Sequence, residues 1–167
     1  MDRDALRALQ EPLKRRYRDE PEAALVTLSA SGTLDDEITC TVRTGRALAT
    51  AGLHPATGGD GLSLCSGDML LEALVACAGV TLRAVATALE IPVAAGTITA
   101  DGVLDFRGTL AVDRQAPVGF RSIALRFDLA APGVDPEQLA TLLTLTERYC
   151  VVLQTLRGGP ELAVSAG

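Results

Sequence analysis

Leu70-Leu71-Glu72-Ala73-Leu74-Val75-Ala76-Cys77-Ala78-Gly79-Val80 is the stretch from which the fold is read. It lies within a longer run, Ser66 to Leu89, whose middle is apolar nearly all round. A helix of that kind is buried on most of its sides. Ser66 can cap it and Asp68 suits its positive start. Ile91-Pro92 ends it. One acid, Glu72, interrupts the apolar surface. A buried carboxylate costs on the order of several kcal/mol unless paired, so Glu72 either finds a surface gap or an arginine, or serves a site. Cys77 sits near the middle of the run.

Working outward, residues 3 to 18 predict an amphipathic helix, with Leu6, Leu9, Leu13 and Tyr17 at spacings of three and four. The arginines and lysine among them read as a solvated basic face. Ala24 to Ala30 and Glu37 to Ala47 predict strands, the second with Ile38, Cys40 and Val42 on one face. Ser31-Gly32 and Leu34-Asp35-Asp36 read as turn residues between them. The glycine-rich loop Gly52 to Gly61 is of a length that often carries function. Beyond the central helix, Ala94 to Phe106 and Arg121 to Leu129 predict strands, joined through a loop at Arg114 to Gly119. Asp135-Pro136-Glu137 is a strong helix start, with a cap, proline at the first position and an acid in the first turn. Gly158-Gly159-Pro160 reads as a turn and Glu161 to Val164 as a last strand. This order does not alternate as a doubly wound sheet does. It predicts an α+β fold, with helices on antiparallel or mixed sheets.

The 167 residues suit one domain, or one protomer of an intertwined oligomer. The composition, 48% hydrophobic and 22% charged, argues against disorder. A net charge of −6 argues against a broad nucleic-acid footprint, and 3% aromatics leave few platforms for base stacking. Glu72 and Arg83 break the best candidate for a membrane span. The start Met1-Asp2-Arg3-Asp4 lacks a secretory pattern. The expected setting is therefore the cytoplasm, where the four cysteines begin as thiols. No C-x-x-C pair occurs, and the lone His54 with scattered thiols lacks metal-ligand spacing.

Free cysteine packs as a small hydrophobe, and Cys40, Cys77 and Cys150 each read as core on that ground alone. Cys65 lies where a helix begins, which lowers a thiol's pKa. A reactive reading of Cys77 and Cys150 needs one thiol to ionise and to reach substrate. The second must then condense with the sulfenic acid left by attack on an O–O bond. Polar residues offered as company for Cys77 are Glu72, Asp68, Arg43, Arg46, His54 and Asp60. His54 also reads as an exposed loop residue.

The loop Gly58-Gly59-Asp60-Gly61 leads into the small-residue helix around Cys77. A second cysteine follows a short helix in Glu147-Arg148-Tyr149-Cys150-Val151-Val152. Together these segments resemble the OsmC/Ohr family of thiol-dependent peroxidases, from about residue 24 to the end. The resemblance implies an OsmC-like domain over residues 21–167, preceded by the helix of residues 1–20, in an intertwined homodimer with active sites at the subunit interface. It implies Cys77 as peroxidatic thiol and Cys150 as resolving thiol. The implied substrates are organic hydroperoxides, with hydrogen peroxide beside them. An external dithiol of the lipoyl type resets the enzyme in such proteins, and no bound cofactor or metal is needed. The family commonly places Pro-Glu at the helix start, an arginine on an early strand, and proline after the second cysteine. Here Gly67 stands at the glutamate position, with Asp68 or Glu72 as substitutes. Arg43 and Arg46 are the arginine candidates, and Val151 follows Cys150. A second reading, from a different class, is a dimeric binding module for a small apolar ligand with inert thiols. A third is a scaffold whose dimer surface is its only role.

Overall fold

The computed structural model describes residues 2–19, 30–34, 39–44, 47–111 and 113–166. Its elements are α1 (Arg3–Asp19), β1 (Ala30–Leu34), β2 (Thr39–Thr44), β3 (Ala47–Gly52), β4 (Leu64–Cys65), α2 (Ser66–Leu89), β5 (Ala95–Val103), α3 (Phe106–Thr109), β6 (Ser122–Ala130), α4 (Pro136–Tyr149) and α5 (Val151–Gly158). The α+β class read from the sequence is the class observed. The chain divides into two compact units. One comprises residues 1–11, 73–99 and 125–167, and the other residues 12–72 and 100–124.

In the second unit, β1, β2, β3 and β4 form one sheet in that order. β1 and β2 are antiparallel, with Leu34 opposite Cys40. β2 and β3 are antiparallel, with Thr39 opposite Gly52. β3 and β4 are parallel, with Gly52 opposite Cys65. A parallel pair cannot be joined by a tight turn, so residues 53–63 are the crossover, and this is what the glycine-rich loop does. A 3-10 turn, Pro55–Thr57, sits within it and ends on Gly58 at φ 96°. A Cβ on Gly59 would lie 1.8 Å from the Leu53 carbonyl oxygen, so only glycine closes the loop there.

The sequence expectations differ from this sheet in two ways. Ser31-Gly32, read as a turn, lies inside β1. The single strand expected to end at Ala47 is instead two, because Ala47 begins β3. Ala24 to Leu28, Asp35, Asp36 and Arg46 lie outside the described residues.

In the first unit, Leu82, Ala86, Ile91, Val93 and Leu142 form a buried cluster flanked by Val85, Phe127, Leu129, Val134, Leu139 and Leu143. The last two turns of α2 and one face of α4 thus close on the hairpin strand β6. β5 and β6 pair. Ala94 donates to the Ala130 carbonyl at one end and Arg121 to the Val103 carbonyl at the other, so they run antiparallel. Along β6 exposure alternates residue by residue, with Ile123, Leu125 and Phe127 on the covered face as expected. α4 starts at Asp135 with a reciprocal cap. The Asp135 carboxylate accepts from Gln138 N–H, and the Gln138 side chain accepts from Asp135 N–H.

Two further expectations are corrected. Only Leu74, Ala78, Leu82 and Ala86 of α2 are buried, a single row at spacings of four, while Val80 is 73% exposed. A single chain offers too little surface to cover an all-round apolar helix. By length and composition α2 is also apolar enough to cross a membrane, so Glu72 and Arg83 do not interrupt it as expected. Its buried row packs as a core helix does. Residues 161–166 form no strand. Leu162 and Val164 are exposed at 83% and 98%, and a strand exists only where a sheet edge pairs with it.

Candidate active site

Cys77 lies on α2 and is half-buried; Cys150 joins α4 to α5 and is fully buried. Cys150 is both the C-cap of α4 and the N-cap of α5, with an extended backbone at φ −72° and ψ 105°. That one extended residue turns the chain so that the first turn of α5 faces α2. The N–H groups of a helix's first turn have no partner inside the helix. The Cys150 side chain makes no capping hydrogen bond to them. Instead, the Val151 and Val152 N–H groups donate to the Cys77 sulfur.

Burial raises the Cys77 pKa, but hydrogen bonds from the Val152 N–H, the Cys150 thiol, the Thr81 hydroxyl and the Val151 N–H outweigh it, and the net direction is down. Thr81 is one helical turn beyond Cys77 and so shares its face. Cys150 moves the opposite way. Burial pushes its thiol up, and the neighbouring Cys77 adds to that, while N–H groups of Leu153 and Val152 work against it. The two thiols are thus shifted in opposite directions, Cys77 down and Cys150 up. A helix N-terminus favours an anion, which is the same preference seen from the backbone side.

The other sequence candidates belong to the second unit. Glu72 and Asp68 are exposed. At 100° per residue they project about 140° and 180° away from Cys77 around α2. His54 caps the 3-10 turn, where its Nδ1 accepts from Ala56 N–H at 3.0 Å, and its ring stacks on Phe106 at 5.1 Å. Arg43 belongs to β2, opposite Leu48 and Ser31; Arg46 lies outside the described residues. Cys40 pairs with Ala51 and Cys65 with Gly52. A Cβ on Gly67 would meet Phe120, Cys65 and Leu104 at ordinary contact distances, so the position is lined by apolar and thiol groups. Among the described residues no cluster of His, Cys, Asp or Glu is placed to hold a metal.

Sequence reasoning missed Thr81 and the α5 backbone donors. Thr81 carried a usable signal, its i+4 spacing from Cys77. The α5 N–H groups carried none, because backbone donors have no side-chain signature.

A family model described as OsmC-like protein matches residues 58–165, which holds α2, Cys77 and Cys150. The chain belongs to that family. Among solved structures, the OsmC-like protein from Mycoplasma pneumoniae superposes with a TM-score of 0.67 at 17% identity, over 80% of this chain and 89% of that one. An organic hydroperoxide resistance protein OsmC from Legionella pneumophila gives 0.62 at 19% identity, over 81% and 92%. The organic hydroperoxide resistance protein OhrB of Bacillus subtilis gives 0.54 at 19%, over 81% and 94%. At these identities the likeness is one of fold. No curated protein sequence matches the chain.

Proposed function

We propose that this protein is a homodimeric thiol peroxidase that reduces organic hydroperoxides. The observation that carries the reading is two free thiols in one compact unit, Cys77 on α2 and Cys150 at the α4–α5 junction, which influence each other's titration and shift in opposite directions. The nucleophile in such chemistry is the thiolate, and although burial opposes it, hydrogen bonding lowers the Cys77 pKa on balance. Cys77 S⁻ attacks the distal oxygen of R–O–O–H. The O–O bond breaks, the S–O bond forms, and Cys77 becomes a sulfenic acid while an alkoxide leaves and takes a proton. Cys150 then attacks the Cys77 sulfur, forming the disulfide and releasing water. An external dithiol, by two thiol–disulfide exchanges, returns both cysteines to thiols. The names of the Legionella and Bacillus proteins support the hydroperoxide class as substrate. The exposed apolar face of α2 supports a homodimer.

The test is consumption of tert-butyl hydroperoxide with a dithiol reductant, by the wild type and by Cys77→Ser. The expected outcome is turnover by the wild type only. Equal rates would sink the reading and favour an apolar-ligand binding module with inert thiols.

A further inference from the structure

We propose that Gln154 is a positioning residue for the thiol pair, its side-chain amide holding open the break between α4 and α5 at which Cys150 sits. This rests on the peroxidase reading above for the roles of Cys77 and Cys150. The break has no cause of the usual sequence kind, since Glu147-Arg148-Tyr149-Cys150-Val151-Val152-Leu153-Gln154 contains neither proline nor glycine. A continuous helix would carry the Val151 N–H to the Glu147 carbonyl, four residues back. Instead the Gln154 side chain donates to that carbonyl, Nε2 to O at 2.7 Å. The ladder holds on either side of this point. Cys150 N–H donates to the Thr146 carbonyl at 3.0 Å, and Gln154 N–H to the Cys150 carbonyl at 2.9 Å. A side chain inserted into the i→i−4 ladder is one of the few causes of a sharp bend in a helix.

The amide does two things at once. It satisfies a carbonyl in the last turn of α4, where helical partners run out. It also takes the acceptor that would draw Val151 back into line, so Cys150 keeps its extended backbone at φ −72° and ψ 105°. The first turn of α5 then keeps its N–H groups free for another partner. The Val151 and Val152 N–H groups are among those that lower the Cys77 pKa, in keeping with this geometry. Without the amide, Cys150 can relax toward helical angles and Val151 N–H can return to the Glu147 carbonyl. That rotation carries the donors away from Cys77 and turns the Cys150 side chain with them. Arg157 also reaches Glu147, Nη2 to Oε2 at 2.9 Å, but both side chains are about half exposed. Water screens such a pair, so the amide is the stronger tie. Gln154 thus acts on the sulfurs through the backbone.

The experiment compares the full-length wild type with Gln154→Met, Gln154→Ala and Gln154→Lys. Gln154 is exposed, and all three replacements are good helix formers. Met and Ala remove the side-chain donor, whereas Lys keeps one. Alkylation of Cys77 by iodoacetamide is followed by peptide mass across pH, with circular dichroism as the control for folding. We expect Met and Ala to slow alkylation at neutral pH at least about threefold, as for a lost hydrogen bond, and to move its inflection to higher pH. Lys should restore the wild-type profile, which a loss of packing alone would not allow. A wild-type profile in a folded Met or Ala variant overturns the inference, as does a Lys variant shifted as far as Met. Two donor-free variants guard against either one failing to fold. Consumption of tert-butyl hydroperoxide by the wild type is measured beside them. A wild type inert to hydroperoxide, with the alkylation pattern as expected, overturns the peroxidase reading alone and leaves Gln154 positioning a reactive thiol of another use.

Discussion

Cys77 and Cys150 carry the same functional group and titrate in opposite directions because of what surrounds each. Burial acts on both, but Cys77 meets four donors while Cys150 is itself one of them. The alkylation rate of Cys77 is expected to rise with pH through an inflection below the ordinary thiol value of 9.0. Thr81→Val keeps the shape of the side chain and removes one donor. It should slow alkylation at neutral pH about fivefold, the kinetic equivalent of one hydrogen bond of about 1 kcal/mol. An unchanged rate would remove Thr81 from the site. Cys150→Ala should also move the inflection upward, since it deletes a donor of the same kind.

At the scale of elements, the junction of α4 and α5 makes the site. Val151 is the first residue of α5, where proline is tolerated because its N–H has no helical partner. Cys150 already has the extended backbone that a following proline requires. Val151→Pro should therefore leave the fold intact while deleting one donor to Cys77. Slower alkylation with an unchanged circular dichroism spectrum is the expected result. Proline at this position is what the family resemblance led us to expect, so Val151 gives this chain an N–H that a proline could not. Behind the junction, Leu142 is fully buried in the cluster that holds α4 to α2. Leu142→Ala should cost about 2–5 kcal/mol of stability in denaturant unfolding. The connection between β5 and β6 has its own lock. The Asp105 carboxylate caps α3 and binds Arg107 in two places, Nε at 3.0 Å and Nη2 at 2.6 Å. The Arg107 hydrogen bond holds its pKa down at about 2, against 3.8 for a free side chain. A carboxyl lowered in the folded state stabilises above its unfolded pKa, and that contribution is lost as pH falls through the folded one. Thermal unfolding of Asp105→Asn should thus lie below the wild type at neutral pH and converge on it between about pH 4 and pH 2.

For the whole molecule, the composition of α2 exceeds what one chain covers. Ala73, Ala76 and Val80 lie at spacings of three and four on an exposed face, and Leu70 is also exposed. Sedimentation should find a dimer for the wild type, and Val80→Glu should weaken it; a monomeric wild type would contradict the homodimer. The same shortfall explains what could be read from the sequence. Local signals placed well. Ser66 and Ile91-Pro92 bounded α2, Asp135-Pro136-Glu137 started α4, and alternation in Ile123, Leu125 and Phe127 marked β6. Non-local ones did not. β3 reads Ala47-Leu48-Ala49-Thr50-Ala51-Gly52, mostly small residues whose strand character comes from β2 and β4 on either side. Glu161 to Val164 alternates like a strand but pairs with no sheet edge among the described residues. The cysteine pair was legible as two segments, while the helix that joins them at Cys150 was not, since one extended residue between two helices leaves no periodic trace.

The most direct test of the central claim is to treat the reduced protein with one equivalent of tert-butyl hydroperoxide, quench free thiols and map disulfides by peptide mass. The account predicts a single linkage, Cys77 to Cys150, with Cys40 and Cys65 still alkylated as free thiols. Cys77 recovered as a free thiol after oxidant, or a disulfide formed through Cys65 instead, would contradict it.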